Sequence, residues 1–178
     1  MAAKGRKFTP LEMAIAFALL GSLLAVALPT FFRDLHASHL VEPVDGLQRI
    51  GVSALAYDAV HQPGAVGALP AGITAPTAVG ALPVSAPLTP ADVPRGVLRE
   101  DPAGTWDHPT WQALGFRPTR EGVPHAFSFS FDNQGKGFVA TAHGDLDGDG
   151  VLSTFELRGV LGDTPHLEPG MYVDAEFE

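Results

Sequence analysis

The sequence contains no cysteine, which excludes disulfides, thiolate metal sites and cysteine nucleophiles together. Basic residues are scarce too, with 11 Lys and Arg among 178 residues. Three of these, Lys4, Arg6 and Lys7, precede the first acidic residue. From Thr30 onward 8 basic side chains stand against 19 acidic ones, a net charge of −11. A surface that acidic repels phosphate backbones and excludes nucleic acid as a partner. Catalytic signatures are missing as well: there is no GxSxG, no HExxH, no phosphate-cradling glycine loop and no dinucleotide fingerprint. Seven histidines are scattered along the chain, and His36 and His39 share a helical face without a third ligand nearby. The expectation is a protein that is not an enzyme.

What the chain does have is one long apolar run. Leu11 to Phe32 is apolar except for Glu12, Gly21, Ser22, Pro29 and Thr30, and roughly 20 such residues cross a bilayer as a helix. With Lys4, Arg6 and Lys7 on its N-terminal side, the positive-inside tendency keeps the N-terminus cytoplasmic and exports the rest. A cleavable secretory signal competes with this reading, with Ala25-Val26-Ala27 as its small-x-small site, and would release a secreted soluble protein. Glu12 weighs against the signal, because an ionisable group inside a membrane helix costs about 2.5–3.5 kcal/mol and usually has a specific partner.

The stretch FTPLEMAIAFALLGSLLAVALPTF resembles the N-terminal helix of type IV pilins and pseudopilins. Counting from Phe8, Glu12 is fifth, Gly21 fourteenth and Pro29 twenty-second, matching that family's phenylalanine, glutamate, glycine and proline. The resemblance implies that Glu12 pairs with the freed amine of a neighbouring copy and sets the register of a fibre. It also implies a leader removed by the prepilin peptidase and a place in the bacterial inner membrane. Position 7, where the family carries glycine before the cut, is Lys7.

Beyond the apolar run, Arg33 to His61 reads as more helix, with Leu47, Ile50, Ala54 and Tyr57 forming one stripe. Pro29 and Pro43 should kink or interrupt it. Residues 62–98 are dense in Pro, Gly and Ala, with AVGALP at both 65–70 and 78–83, and read as an irregular surface segment. Trp106, Trp111, Leu114 and Phe116 surround a short helix capped by Asp107 or Thr110 and belong to a core. Phe127, Phe129 and Phe131 alternate with Ser128 and Ser130 as a half-buried strand. Asn133 to Gly137 turns, Phe138 to His143 returns, and Met171 to Phe177 makes an edge strand. The organisation expected is a basic leader at 1–7, a long helix at 8–61 with its membrane segment at 11–32, the irregular segment, and a sheet region at 99–178. The fold class is α+β, a long membrane-spanning helix packed on a small antiparallel sheet. The C-terminal half, with its Phe/Ser strand and GDLDGDG turn, resembles fimbrial subunits of some predatory and social soil bacteria.

Asp145 to Glu156 (DLDGDGVLSTFE) fits the twelve-residue calcium loop. Asp145, Asp147 and Asp149 take the first, third and fifth places, Gly150 the sixth, the Val151 carbonyl the seventh, Ser153 the ninth and Glu156 the twelfth. Alternating carboxylates converge on a tight turn, the glycine allows the bend, and the last glutamate supplies two oxygens, giving the six to eight ligands Ca²⁺ takes. Phe138–Ala142 reads as strand and not helix, so only the loop is expected. The role is structural, clamping an exported sheet.

Two functions follow as expectations. One is a pilin-like subunit of a type IV pilus or secretion pseudopilus, whose partners are the membrane, other copies and the assembly machinery. The other is a singly membrane-anchored extracytoplasmic calcium-binding module that does not polymerise.

Overall fold

The computed structural model describes residues 9–61 and 82–175. The leader, Lys7, Phe8, most of the AVGALP repeats and Phe177 lie outside the described residues. The chain divides into two compact units, meeting at Ser38–His39.

The first unit is helix α1, Pro10–His39. At 30 residues and 1.5 Å per residue it is about 45 Å long. Its start is fixed by four residues, Thr9-Pro10-Leu11-Glu12. The Thr9 N–H donates to Glu12 Oε2 at 2.8 Å, and the Glu12 N–H donates to Thr9 Oγ1 at 3.3 Å. That is a reciprocal capping box, with Pro10 at the first helical position, where its missing donor is harmless. From Leu11 to Leu28 every side chain but Glu12 is exposed, and the apolar surface runs round all sides of the helix. The Ser22 hydroxyl is satisfied within the helix by the Ala18 carbonyl at 2.9 Å.

Pro29 does not end α1, which continues to His39. The interruption falls at Leu40, and Pro43 explains it. A proline ring clashes with the carbonyl four residues earlier, here that of His39. Pro43 itself sits in the first turn of the next helix, α2 (Val41–His61).

The second unit is α2 laid on an antiparallel sheet. Its strands are β1 (Ala86–Thr89), β2 (Phe127–Asn133), β3 (Gly137–Gly144), β4 (Ser153–Val160), β5 (His166–Leu167) and β6 (Tyr172–Asp174), with a short helix α3 (Pro109–Leu114) between β1 and β2. The order is β1-β2-β3-β4-β5, and β6 pairs with the first half of β4. The α+β class therefore holds. Three strands go beyond the sequence reading: β1 lies inside the segment read as irregular, β4 begins inside the acidic pattern, and β5 is two residues long.

The core lies between α2 and one face of the sheet. Leu47, Ile50 and Ala54 meet Phe127, Phe129 and Phe131 of β2, Phe138 of β3, and Phe155 and Leu157 of β4. The stripe on α2 ends as expected in Tyr57, which is half-buried against the core, and buried Asp58 lies beside it. Tyr57 also stacks on His61, ring centres 3.9 Å apart. Helix and sheet approach closely at Gly46, where an added Cβ would lie 2.6 Å from the Phe129 ring. Trp106, Trp111, Leu114 and Phe116 are buried as expected. The cap of α3 is His108, whose ring accepts from the Thr110 N–H at 3.3 Å, and not Asp107 or Thr110.

A buried polar cluster joins three segments. The His125 ring places Nε2 2.7 Å from Asp101 Oδ2 and Nδ1 2.8 Å from the Phe127 carbonyl. Asp101 Oδ2 also accepts from Trp106 Nε1 at 2.6 Å. Beside it the Glu42 carboxylate, at the start of α2, accepts from the N–H groups of Ala126 and Phe127.

Candidate metal centre

The loop that follows β3 is built by its own aspartates. Asp145 is the first residue past the strand and is buried. Its Oδ1 accepts from the Gly148 N–H at 2.7 Å and its Oδ2 from the Gly150 N–H at 3.1 Å. Asp147 Oδ1 accepts from the Asp149 N–H at 3.1 Å, and Asp149 Oδ1 from the Val151 N–H at 2.7 Å. Short aspartate side chains capping their own backbone in this way curl the chain into successive tight turns.

The curl brings Asp145, Asp147 and Asp149 together, with one carboxylate oxygen from each lying within 4.8 Å of the others. Three like charges at that separation oppose one another unless a cation offsets them, and carboxylate oxygens are the ligands hard divalent cations take. This trio can hold a metal ion. Among the described residues no other group of three His, Cys, Asp or Glu side chains does so, and the side chains of His36 and His39 lie outside the description.

A second segment braces the loop. The Gly96 N–H donates to the Asp145 carbonyl at 2.7 Å. Gly96 and Gly148, both with positive φ, lie backbone to backbone, and a Cβ on Gly96 would come within 3.2 Å of the Gly148 Cα. Only glycine combines that φ with so close an approach.

The remaining residues of the twelve-place pattern behave differently. Val151 closes the loop through its N–H on Asp149. Ser153 is buried as the first residue of β4, opposite Gly144. Glu156 does not join the aspartates, contrary to the sequence reading. It sits on β4 opposite Thr141, and its Oε1 accepts from Arg158 Nε at 2.5 Å. The reason is the strand. A calcium loop recovers its twelfth residue when a returning helix begins there, whereas a strand advances about 3.3 Å per residue and carries Glu156 about 10 Å beyond Ser153. The carboxylate group is thus the aspartate trio alone.

Two side chains near β4 have shifted proton affinities. Burial pushes the His143 imidazole below its ordinary value of 6.5, against a smaller upward pull from a hydrogen bond with the Ser153 backbone. Glu156 pushes the exposed Arg158 guanidinium upward through their hydrogen bond and charge attraction.

The apolar helix is the other candidate element. Pro10–Leu28 is long and apolar enough to cross a membrane, with a mean hydropathy of 2.2, a description that a signal sequence meets equally. Comparison of the chain with protein-family models, with curated proteins and with solved structures finds no match.

Proposed function

We propose that the chain is a pilin-like structural subunit, anchored in the bacterial inner membrane by α1 and assembling through α1 with other copies into a type IV pilus or secretion pseudopilus. In this reading the exported head carries Ca²⁺ in the Asp145–Asp147–Asp149 loop. What carries the proposal is α1. Its Leu11–Leu28 stretch is apolar on every side, with Glu12 in the first turn, and one residue separates α1 from an amphipathic helix seated on an antiparallel sheet. The register of Phe8, Glu12, Gly21 and Pro29 supports the same assignment.

The capping box favours a second reading, the singly anchored calcium module that does not polymerise, because it gives Glu12 a local structural role. Two substitutions separate the readings. Gln at this position preserves a capping box but removes the charge that would pair with a neighbour's amine, whereas Ala removes both. For a pilin-like subunit, Glu12→Gln and Glu12→Ala should both abolish incorporation into filaments while membrane insertion survives. Wild-type incorporation by Glu12→Gln would leave Glu12 a cap only and establish the second reading. The mass of the protein from native membranes adds an independent test, since a chain beginning at Phe8 with a methylated amine is expected for a processed subunit.

For calcium, a ligand that binds only the folded state stabilises it by about 2.7 kcal/mol at one hundred times Kd, and extracellular loops bind with Kd of roughly 10⁻⁴–10⁻³ M. Ca²⁺ at about 10 mM, roughly ten to one hundred times such a Kd, should therefore raise the melting temperature of the head by several degrees, chelator should reverse the rise, and Asp147→Ala should abolish it. An unchanged melting temperature in the chelator-stripped wild type would refute the calcium assignment.

A further inference from the structure

The face of the sheet turned away from α2 is polar in rows. Side chains alternate across a strand, and strand register sets which ones stand side by side. Tyr172 of β6, Glu156 of β4, Thr141 of β3 and Ser130 of β2 are successive cross-strand partners. The next row is Asp174, Thr154, His143 and Ser128. One neighbouring pair in each row is joined by a hydrogen bond. Ser130 Oγ and Thr141 Oγ1 share a hydrogen bond of 2.5 Å, and His143 Nδ1 lies 3.0 Å from Thr154 Oγ1. Neighbouring strands are about 4.8 Å apart, so each row spans roughly 14 Å.

At the β6 end this face opens into a groove of about 460 Å³, walled by Glu156, Arg158, Glu168, Met171 and Tyr172. At the β1 end a second groove of about 540 Å³ is lined by Ser85, Leu88, Ser130, Asp132 and His143. Both volumes fall in the range of small-ligand sites. Three features of the first groove define what it accepts. Tyr172 is 59 % exposed, and its ring offers a flat surface with a polar tip. The Arg158 Nε–Glu156 Oε1 bond of 2.5 Å holds donor and acceptor groups side by side on a rigid strand. One guanidinium between two carboxylates also leaves little net charge.

We propose that this groove binds a neutral saccharide, with the sugar's apolar face on Tyr172 and its hydroxyls on Glu156 and Arg158, the chain continuing along the row past Thr141 and Ser130. An anionic ligand would meet two carboxylates around the single arginine, and a cationic one would have to compete with Arg158 for Glu156. A neutral ligand whose hydroxyls both donate and accept suits fixed groups of both kinds. The site is separate from the aspartate loop and does not depend on how α1 is anchored or assembled.

The test is isothermal titration of the full chain in a sugar-free detergent. The probes are neutral glucan hexamers of two linkages, cellohexaose and maltohexaose, with oligogalacturonate and chitosan oligomers as charged comparators. A neutral hexamer should bind with a Kd in the millimolar range or tighter. Tyr172→Ala and Arg158→Ala should each weaken it at least tenfold, and Asp147→Ala should leave it unchanged. Tyr172 and Arg158 are both largely exposed, so unchanged melting in these variants would separate lost binding from lost folding. Absence of binding by both neutral hexamers, preference for either charged oligomer, or full affinity in Tyr172→Ala would each overturn the proposal.

Discussion

Replacing Phe129 with alanine should destabilise the head by about 3–5 kcal/mol, the range for emptying a buried aromatic site. Phe129 is completely buried, and its ring is shared by three elements. It meets Phe116 edge-on with centres 5.1 Å apart, tilts against Trp106 at 6.4 Å, and lies under the Gly46 notch of α2. The cavity left by alanine has α2 for its roof, and the helix cannot sink to fill it without moving Leu47 and Ile50 from their own fully buried places. Since domains of this size are stable by about 5–15 kcal/mol, the loss is a large share of the total. Denaturant unfolding should show a lower midpoint at unchanged slope, and Phe129→Leu should recover most of the difference. A loss below about 1 kcal/mol would mean that the helix–sheet core is not packed as described.

The second large effect is expected at His125. This ring is buried with both nitrogens engaged, and it neighbours two carboxylates: Asp101 at 2.7 Å and Glu42 at 3.9 Å. The Phe127 carbonyl accepts at Nδ1, and Nε2 faces Asp101 Oδ2. His125→Ala would leave the Asp101 carboxylate, whose Oδ1 already has no hydrogen-bond partner, with Trp106 Nε1 alone. Stranding one partner of a buried hydrogen bond costs about 1–3 kcal/mol, and more when the group left behind is charged. Asp101→Ala should cost a similar amount, and the double variant should cost well under the sum, because the second removal takes away a group the first had stranded. Strict additivity in that cycle would exclude coupling between the two side chains.

Period and alternation made some of this fold legible. The stripe Leu47, Ile50, Ala54 and the Phe/Ser alternation of β2 each depend on a repeat carried by neighbouring residues, and both landed in the core. The aspartate trio was legible for the same reason, its carboxylates lying two residues apart. What failed was long-range or overruled. β4 was hidden because STFE was assigned to a calcium loop ending at Glu156, while the strand is fixed by pairing with β3 through residues 137–144. β1 lies among Pro83, Pro87 and Pro90, residues that mark edge strands as readily as irregular chain. The His125 cluster joins Glu42, Asp101 and Trp106 from separate segments, and no local spacing announces it. The capping box was different, since Thr9-Pro10-Leu11-Glu12 is a complete four-residue signature. The membrane and pilin readings of Glu12 compete with it, since both look for a partner beyond Thr9.

The contact between Gly96 and Gly148 makes two distant positions one genetic unit. A Cβ on Gly96 would crowd the Gly148 Cα at 3.2 Å, a Cβ on Gly148 would touch the Gly96 Cα at 3.4 Å, and both residues have positive φ, so a side chain at either strains the same pair of loops. Once the loops are separated, the second substitution has less left to disturb. In a library of variants the two positions should be intolerant singly, and less than additive together. Such epistasis would mark the seam between the acidic turn and its brace without any metal in the assay.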